Sequence, residues 1–167
     1  LLGSSLLYGC GGSSDDSGSS DTTLPETVTP TPTTSTLVIN EIVASDIDGG
    51  NDWIELYAVE GSVDLSTYGL VDDNPEHSPQ ALPSVTLAEG DFIVIQAIDE
   101  TDTPPTEGYY VTFKLGSDDA VTLFKDGVQV DELDWQEGDA LEGSSYGLFI
   151  DGTGIAQTLS PTLGATN

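Results

Sequence analysis

The chain has 167 residues, with thirty acidic side chains against two basic ones and a formal charge of -28. That length suits one domain of ordinary size plus a tail or linker. The charge excludes nucleic acid as a direct partner, because phosphate binding relies on Lys and Arg displacing counterions, and this chain offers only Lys114 and Lys125. A single cysteine, Cys10, rules out an intramolecular disulfide.

Residues 1–10 read "LLGSSLLYGC", a short apolar run closing on Gly9-Cys10 and followed at once by small and acidic residues. It resembles the lipobox of bacterial lipoproteins, in which cleavage before the cysteine exposes a sulfur that receives a diacylglycerol. The resemblance implies that Cys10 is the lipidation site, that the sequence starts inside a signal peptide, and that the protein sits at the bacterial cell envelope. Gly11-Gly12 after the cysteine resembles outer-membrane sorting. Ten residues cannot span a bilayer, which needs roughly 20 apolar ones. From Gly11 to Thr36 the composition is Gly, Ser, Asp, Thr and Pro with few large apolar groups. Nothing there offsets the entropy of ordering, so 11–36 is predicted to be a disordered tether. As a flexible coil it spans roughly 25 to 30 Å.

The folded part is predicted over 37–167. "LVINEIV" (37–43) and "WIELYAV" (53–59) read as strands, followed by segments at 68–72, 84–87, 92–98, 109–115, 120–125, 128–135 and 146–150. Nearly all are short, rich in Val, Ile, Tyr, Phe and Thr, and bounded by turn residues. Asp126-Gly127 between two apolar runs is the signature of a type I′ hairpin. No segment holds a helical period, so the pattern implies an all-β sandwich.

"LVINEIVASDIDGGNDWIELY", "VDLSTYGLVDD", "LAEGDFIVI", "SYGLFIDGTG" and "LSPTLGATN", in that order, resemble the lamin-tail domain, an immunoglobulin-like β-sandwich of nuclear lamins and many secreted bacterial proteins. The resemblance covers 37–167 and implies a non-catalytic interaction module. It also implies an alternative role, as accessory or targeting partner of a secreted nuclease or phosphatase.

The link between the first two strands, Asp46-Ile47-Asp48-Gly49-Gly50-Asn51-Asp52, lacks the later ligand positions of an EF-hand loop. It reads either as a Gly-Gly hairpin connection or as part of a calcium site formed by Asp46, Asp48 and Asp52 with Asp72 or Asp73. If Val43 lies opposite Trp53, then Glu41 falls opposite Glu55 and Ile39 opposite Tyr57. Directly opposed like charges cost up to about 1 kcal/mol relative to a neutral pair. A cation, a lysine, a raised carboxyl pKa or backbone N–H donors would compensate.

His77 is the sole histidine, in "DNPEHSPQ" beside Ser78. A Pro-flanked loop without a Gly-x-Ser-x-Gly turn offers little of the geometry a catalytic triad needs, so no enzyme activity is expected. The aromatics Trp53, Tyr57, Tyr109 and Tyr110 are candidates for binding an extracellular protein or polysaccharide. Alternation puts Tyr109 and Tyr110 on opposite faces of one strand, leaving one of them exposed.

Overall fold

The computed structural model describes residues 36–45 and 49–167. Cys10 and the tether short of Thr36 lie outside them, as do Asp46 and Asp48. Among the described residues, none forms a helix long and apolar enough to cross a membrane.

The described chain is an all-β sandwich. A six-stranded sheet runs in the order β12 (Ile155–Leu159), β11 (Ser145–Phe149), β1 (Leu37–Val43), β2 (Asp52–Ala58), β7 (Phe92–Ala97), β8 (Tyr109–Val111). Facing it is a sheet ordered β10 (Val128–Trp135), β9 (Asp119–Lys125), β4 (Tyr68–Asp72), β5 (Gln80–Ala81), and the short β3 (Val63–Asp64) pairs with β6 (Thr86–Leu87). Pairing is antiparallel throughout both large sheets except between β7 and β8.

Alternation along the strands decides what each face buries. Ile54, Leu56 and Ala58 of β2 and Ile93, Ile95 and Ala97 of β7 point inward. They meet Leu70, Val121, Leu123, Leu133 and Trp135 from the opposite sheet in one apolar core. The two sheets are also stitched at a corner, where the Ile39 N–H donates to Asp131 Oδ2 of β10 at 2.7 Å. Burial, opposed by that bond, holds the Asp131 carboxyl above its ordinary range. The Asp126-Gly127 turn has positive φ at both residues, 50° and 78°, and joins Lys125 directly to its partner Val128. That is the type I′ hairpin expected from the sequence.

Three short or weakly patterned strands, β3, β5 and β12, are additions to the sequence reading. The 109–115 segment gives a strand only as far as Val111. Both Tyr109 and Tyr110 are exposed, at 39% and 43%, rather than one of them, because β8 ends its sheet and has no outer neighbour among the described strands.

Candidate functional site

The outer face of the six-stranded sheet, turned away from the core, carries the opposed acids. Val43 pairs with Trp53 and Glu41 with Glu55, the register expected from the sequence. Beyond Glu41 it shifts: a bulge at Asn40 brings Ile39 opposite Leu56 and Val38 opposite Tyr57. Ile39 was expected opposite Tyr57. The extra residue lets Ile39 stay in the core while Asn40 and Glu41 both serve the outer face, which is how a bulge re-aims a side chain.

Glu41, Glu55 and Asn40 are fully buried, and the last stretch of chain is what contacts them there. Residues 160–167 cross the outer face after β12. The Thr162 N–H donates to Glu41 Oε2 at 3.2 Å, with its hydroxyl at 2.9 Å from the same oxygen. The Gly164 N–H donates to Glu55 Oε2 at 2.6 Å. Asn40 completes the nest, its Nδ2 donating to Glu55 Oε1 at 3.0 Å and Asp151 Oδ1 at 2.9 Å while its Oδ1 accepts from the Gly152 N–H. Asp151 also accepts from the Asn167 N–H at 3.2 Å, and Asn167 Nδ2 donates to the Leu148 carbonyl. Of the compensations open to opposed carboxylates, the described structure uses backbone, amide and hydroxyl donors and, at Glu55, a raised carboxyl pKa.

Those donors do not cancel the cost of burial. Desolvation, joined by the nearby Glu41 and Asp151 charges and opposed by the Asn40 and Gly164 hydrogen bonds, pushes the Glu55 carboxyl up to about 7. Glu41 Oε1 is buried and has no hydrogen-bond partner among the described residues. Gly147 stands opposite Glu41 on β11. A Cβ there would collide with the Asn40 carbonyl oxygen and lie 2.8 Å from the Glu41 Cα, so only glycine lets β11 approach the bulge this closely.

The described acids among the others named from the sequence, Asp52, Asp72 and Asp73, lie at one end of the sandwich and grip its loops. Asp52, at the start of β2, is buried and accepts from the Leu115 N–H at 3.2 Å. One residue along, the Gly116 N–H donates to Asp119 Oδ2 at 2.7 Å, and Asp119 Oδ1 takes the Ala120 N–H at 2.8 Å. Asp73 adjoins Asp119, its N–H 3.4 Å from Asp119 Oδ1. Desolvation first, then Asp119 and Asp72, raise the Asp73 carboxyl. Asp72 holds His77 Nδ1 at 2.6 Å. Asp52 and Asp73 are thus connected through the 115–119 loop. Among the described residues, no group of three His, Cys, Asp or Glu side chains is arranged to hold a metal ion.

The Asp72 hydrogen bond raises the His77 pKa. The imidazole lies against the Phe113 ring, and its Nε2 faces Asn74 Nδ2 at 3.3 Å. No Ser, Thr or Cys side chain hydrogen-bonds the imidazole among the described residues.

The aromatics do not form one platform. Trp53 is buried; Tyr57 is half-buried, its ring 4.8 Å from that of Phe92; Tyr109 and Tyr110 stand at the β8 edge. Asn40, Asp151, Thr162, Gly164 and Asn167 were not among the residues singled out from the sequence. Their partners lie as many as 121 positions away, and no local pattern marks such contacts. No protein-family model and no curated protein matches this sequence.

Proposed function

We propose that the chain is a non-catalytic interaction module of the lamin-tail, immunoglobulin-like type, displayed at the bacterial cell envelope on the 11–36 tether. A lipid on Cys10 anchors it, and its partner is an extracellular protein or polysaccharide. The observation that carries this reading is the state of Glu41 and Glu55, the carboxylates that the sequence sets opposite one another on adjacent strands. Both are shut from solvent under residues 160–167, and three of their four carboxylate oxygens are engaged by donors of the chain itself. A general acid or base must reach the proton it moves, and these cannot meet a substrate without displacing that segment. His77 has an orienting carboxylate, but no hydroxyl or thiol hydrogen-bonds its imidazole among the described residues.

Calcium enters the proposal as a stabiliser of the loop between β1 and β2, through Asp46, Asp48 and Asp52 with Asp72 or Asp73. It carries no catalytic role. The test is an array of immobilised polysaccharides and extracellular proteins, read for both retention and chemical change. Saturable retention without product supports the module. Turnover that disappears on His77→Ala or Glu55→Gln overturns it.

A further inference from the structure

The two large sheets have four free strand edges among the described strands, and three of them are guarded. β5 is two residues long, and β8 is three. β10 carries Asp131, Glu132 and Asp134 and has a register irregularity between Gln129 and Asp131. Short length, charge and bulges are the usual means of preventing an edge from pairing with another chain. β12, "IAQTL", has none of these. It is uncharged, runs in unbroken register with β11 through five residue pairs, and no described strand pairs with its outer side.

The surroundings of that edge are apolar at one end and acidic along one flank. Ile155 is 86% exposed and lies opposite Phe149, itself 53% exposed, so the two side chains share a face. Ile150, 66% exposed, follows in the connecting turn with φ 83°. That conformation is strained for a β-branched residue, and such strain clusters at ligand clamps and other functional sites. Along the flank, the Thr158 hydroxyl donates to the Asp139 carbonyl at 2.7 Å. Burial first, then the charges of Asp139 and Asp134, raise the phenol pKa of Tyr146, the cross-strand partner of Thr158. Neither lysine of the chain lies on β11 or β12.

We propose that the outer edge of β12 receives an extended, lysine- or arginine-bearing strand of a partner protein, which adds to the six-stranded sheet. This rests on the interaction-module reading and names its surface and its partner class. Strand addition draws affinity from main-chain hydrogen bonds and specificity from alternate side chains. Here Phe149, Ile150 and Ile155 take the partner's apolar side chains, and Asp134 and Asp139 attract its cations. A second copy of this chain is disfavoured as occupant, because each copy carries a formal charge of -28 and like fields repel.

The test uses the full chain and a synthetic peptide alternating Lys and Val, at fixed ionic strength, with backbone hydrogen exchange as the readout. The expected result is new protection confined to Ile155–Leu159. Ile155→Thr, at a site too exposed to upset the fold, weakens binding about tenfold. Two further peptides carry N-methyl groups on one or the other alternate set of backbone nitrogens. One set faces the ladder and loses about tenfold, and the other does not. Binding that survives Ile155→Thr and both methylation patterns is diffuse charge attraction and overturns the proposal. Protection that arises instead at another strand also overturns it, while leaving the module reading intact. Absence of any peptide binding overturns it too, and the polysaccharide and protein array then decides separately whether the module reading stands.

Discussion

Replacing Glu55 by glutamine removes a buried titratable group while keeping its shape. In the folded protein this carboxyl titrates near 7, against an ordinary value of 4.5. The folded state therefore binds a proton more tightly than the unfolded chain between those two values. Stability falls as pH rises through that window, and the loss is complete above the folded value. At 1.36 kcal/mol per pKa unit the full effect is about 3 kcal/mol. Glutamine has no such slope. It also has one oxygen, which the Gly164 N–H takes, so Asn40 Nδ2 loses its acceptor on residue 55 at a cost of about 1–2 kcal/mol. The variant is thus less stable than the parent at pH 4 and more stable at pH 8, with the two curves crossing between. Urea unfolding followed by the fluorescence of the buried Trp53 and Trp135, at constant ionic strength, measures both curves. The remaining carboxylates are common to both proteins, so their difference isolates residue 55. Parallel curves from pH 4 to pH 8 would refute the reasoning.

Asn40→Ala removes the donor to Glu55 and Asp151 and the acceptor of the Gly152 N–H. It should cost about 2–4 kcal/mol in urea unfolding, since buried polar groups are left without partners. Gly147→Ala forces a Cβ against the Asn40 carbonyl and the Glu41 backbone. Loss of at least about 3 kcal/mol is expected, measured by thermal denaturation, whereas alanine at the open Gly127 turn position should cost less. Millimolar calcium should raise the melting temperature more than magnesium at matched ionic strength, and Asp52→Asn should reduce the difference. Equal melts in calcium, magnesium and chelator would remove calcium from the proposal.

How far the site could be read in advance depended on the range of the interactions. Alternation in "LVINEIV" and "WIELYAV" placed Val43 against Trp53 and Glu41 against Glu55, because period-two patterning sets register wherever one face is buried. One extra residue then broke the inference. The bulge at Asn40 leaves no mark in composition, and the expected Ile39–Tyr57 pair became Ile39–Leu56. β12 escaped notice because "IAQTL" has neither apolar alternation nor a run of branched side chains. Its place in the sheet is set by its hairpin with β11. The 160–167 segment has no strand or helix to announce it, and what seats it is a set of main-chain donors finding carboxylates far away in sequence. The Asp-rich loop drew attention through composition and an assumed register. Its described aspartate, Asp52, accepts from the Leu115 backbone.

Hydrogen exchange at the Thr162 and Gly164 amides tests the core of the account most directly, because these two N–H groups close the outer face over Glu41 and Glu55. The account predicts protection comparable to that of the β1 and β2 amides in the wild-type protein at neutral pH. Exchange as fast as at an exposed turn such as Asp126-Gly127 would mean that the segment stands open. The carboxylates would then be available for chemistry, contradicting a structural role for them.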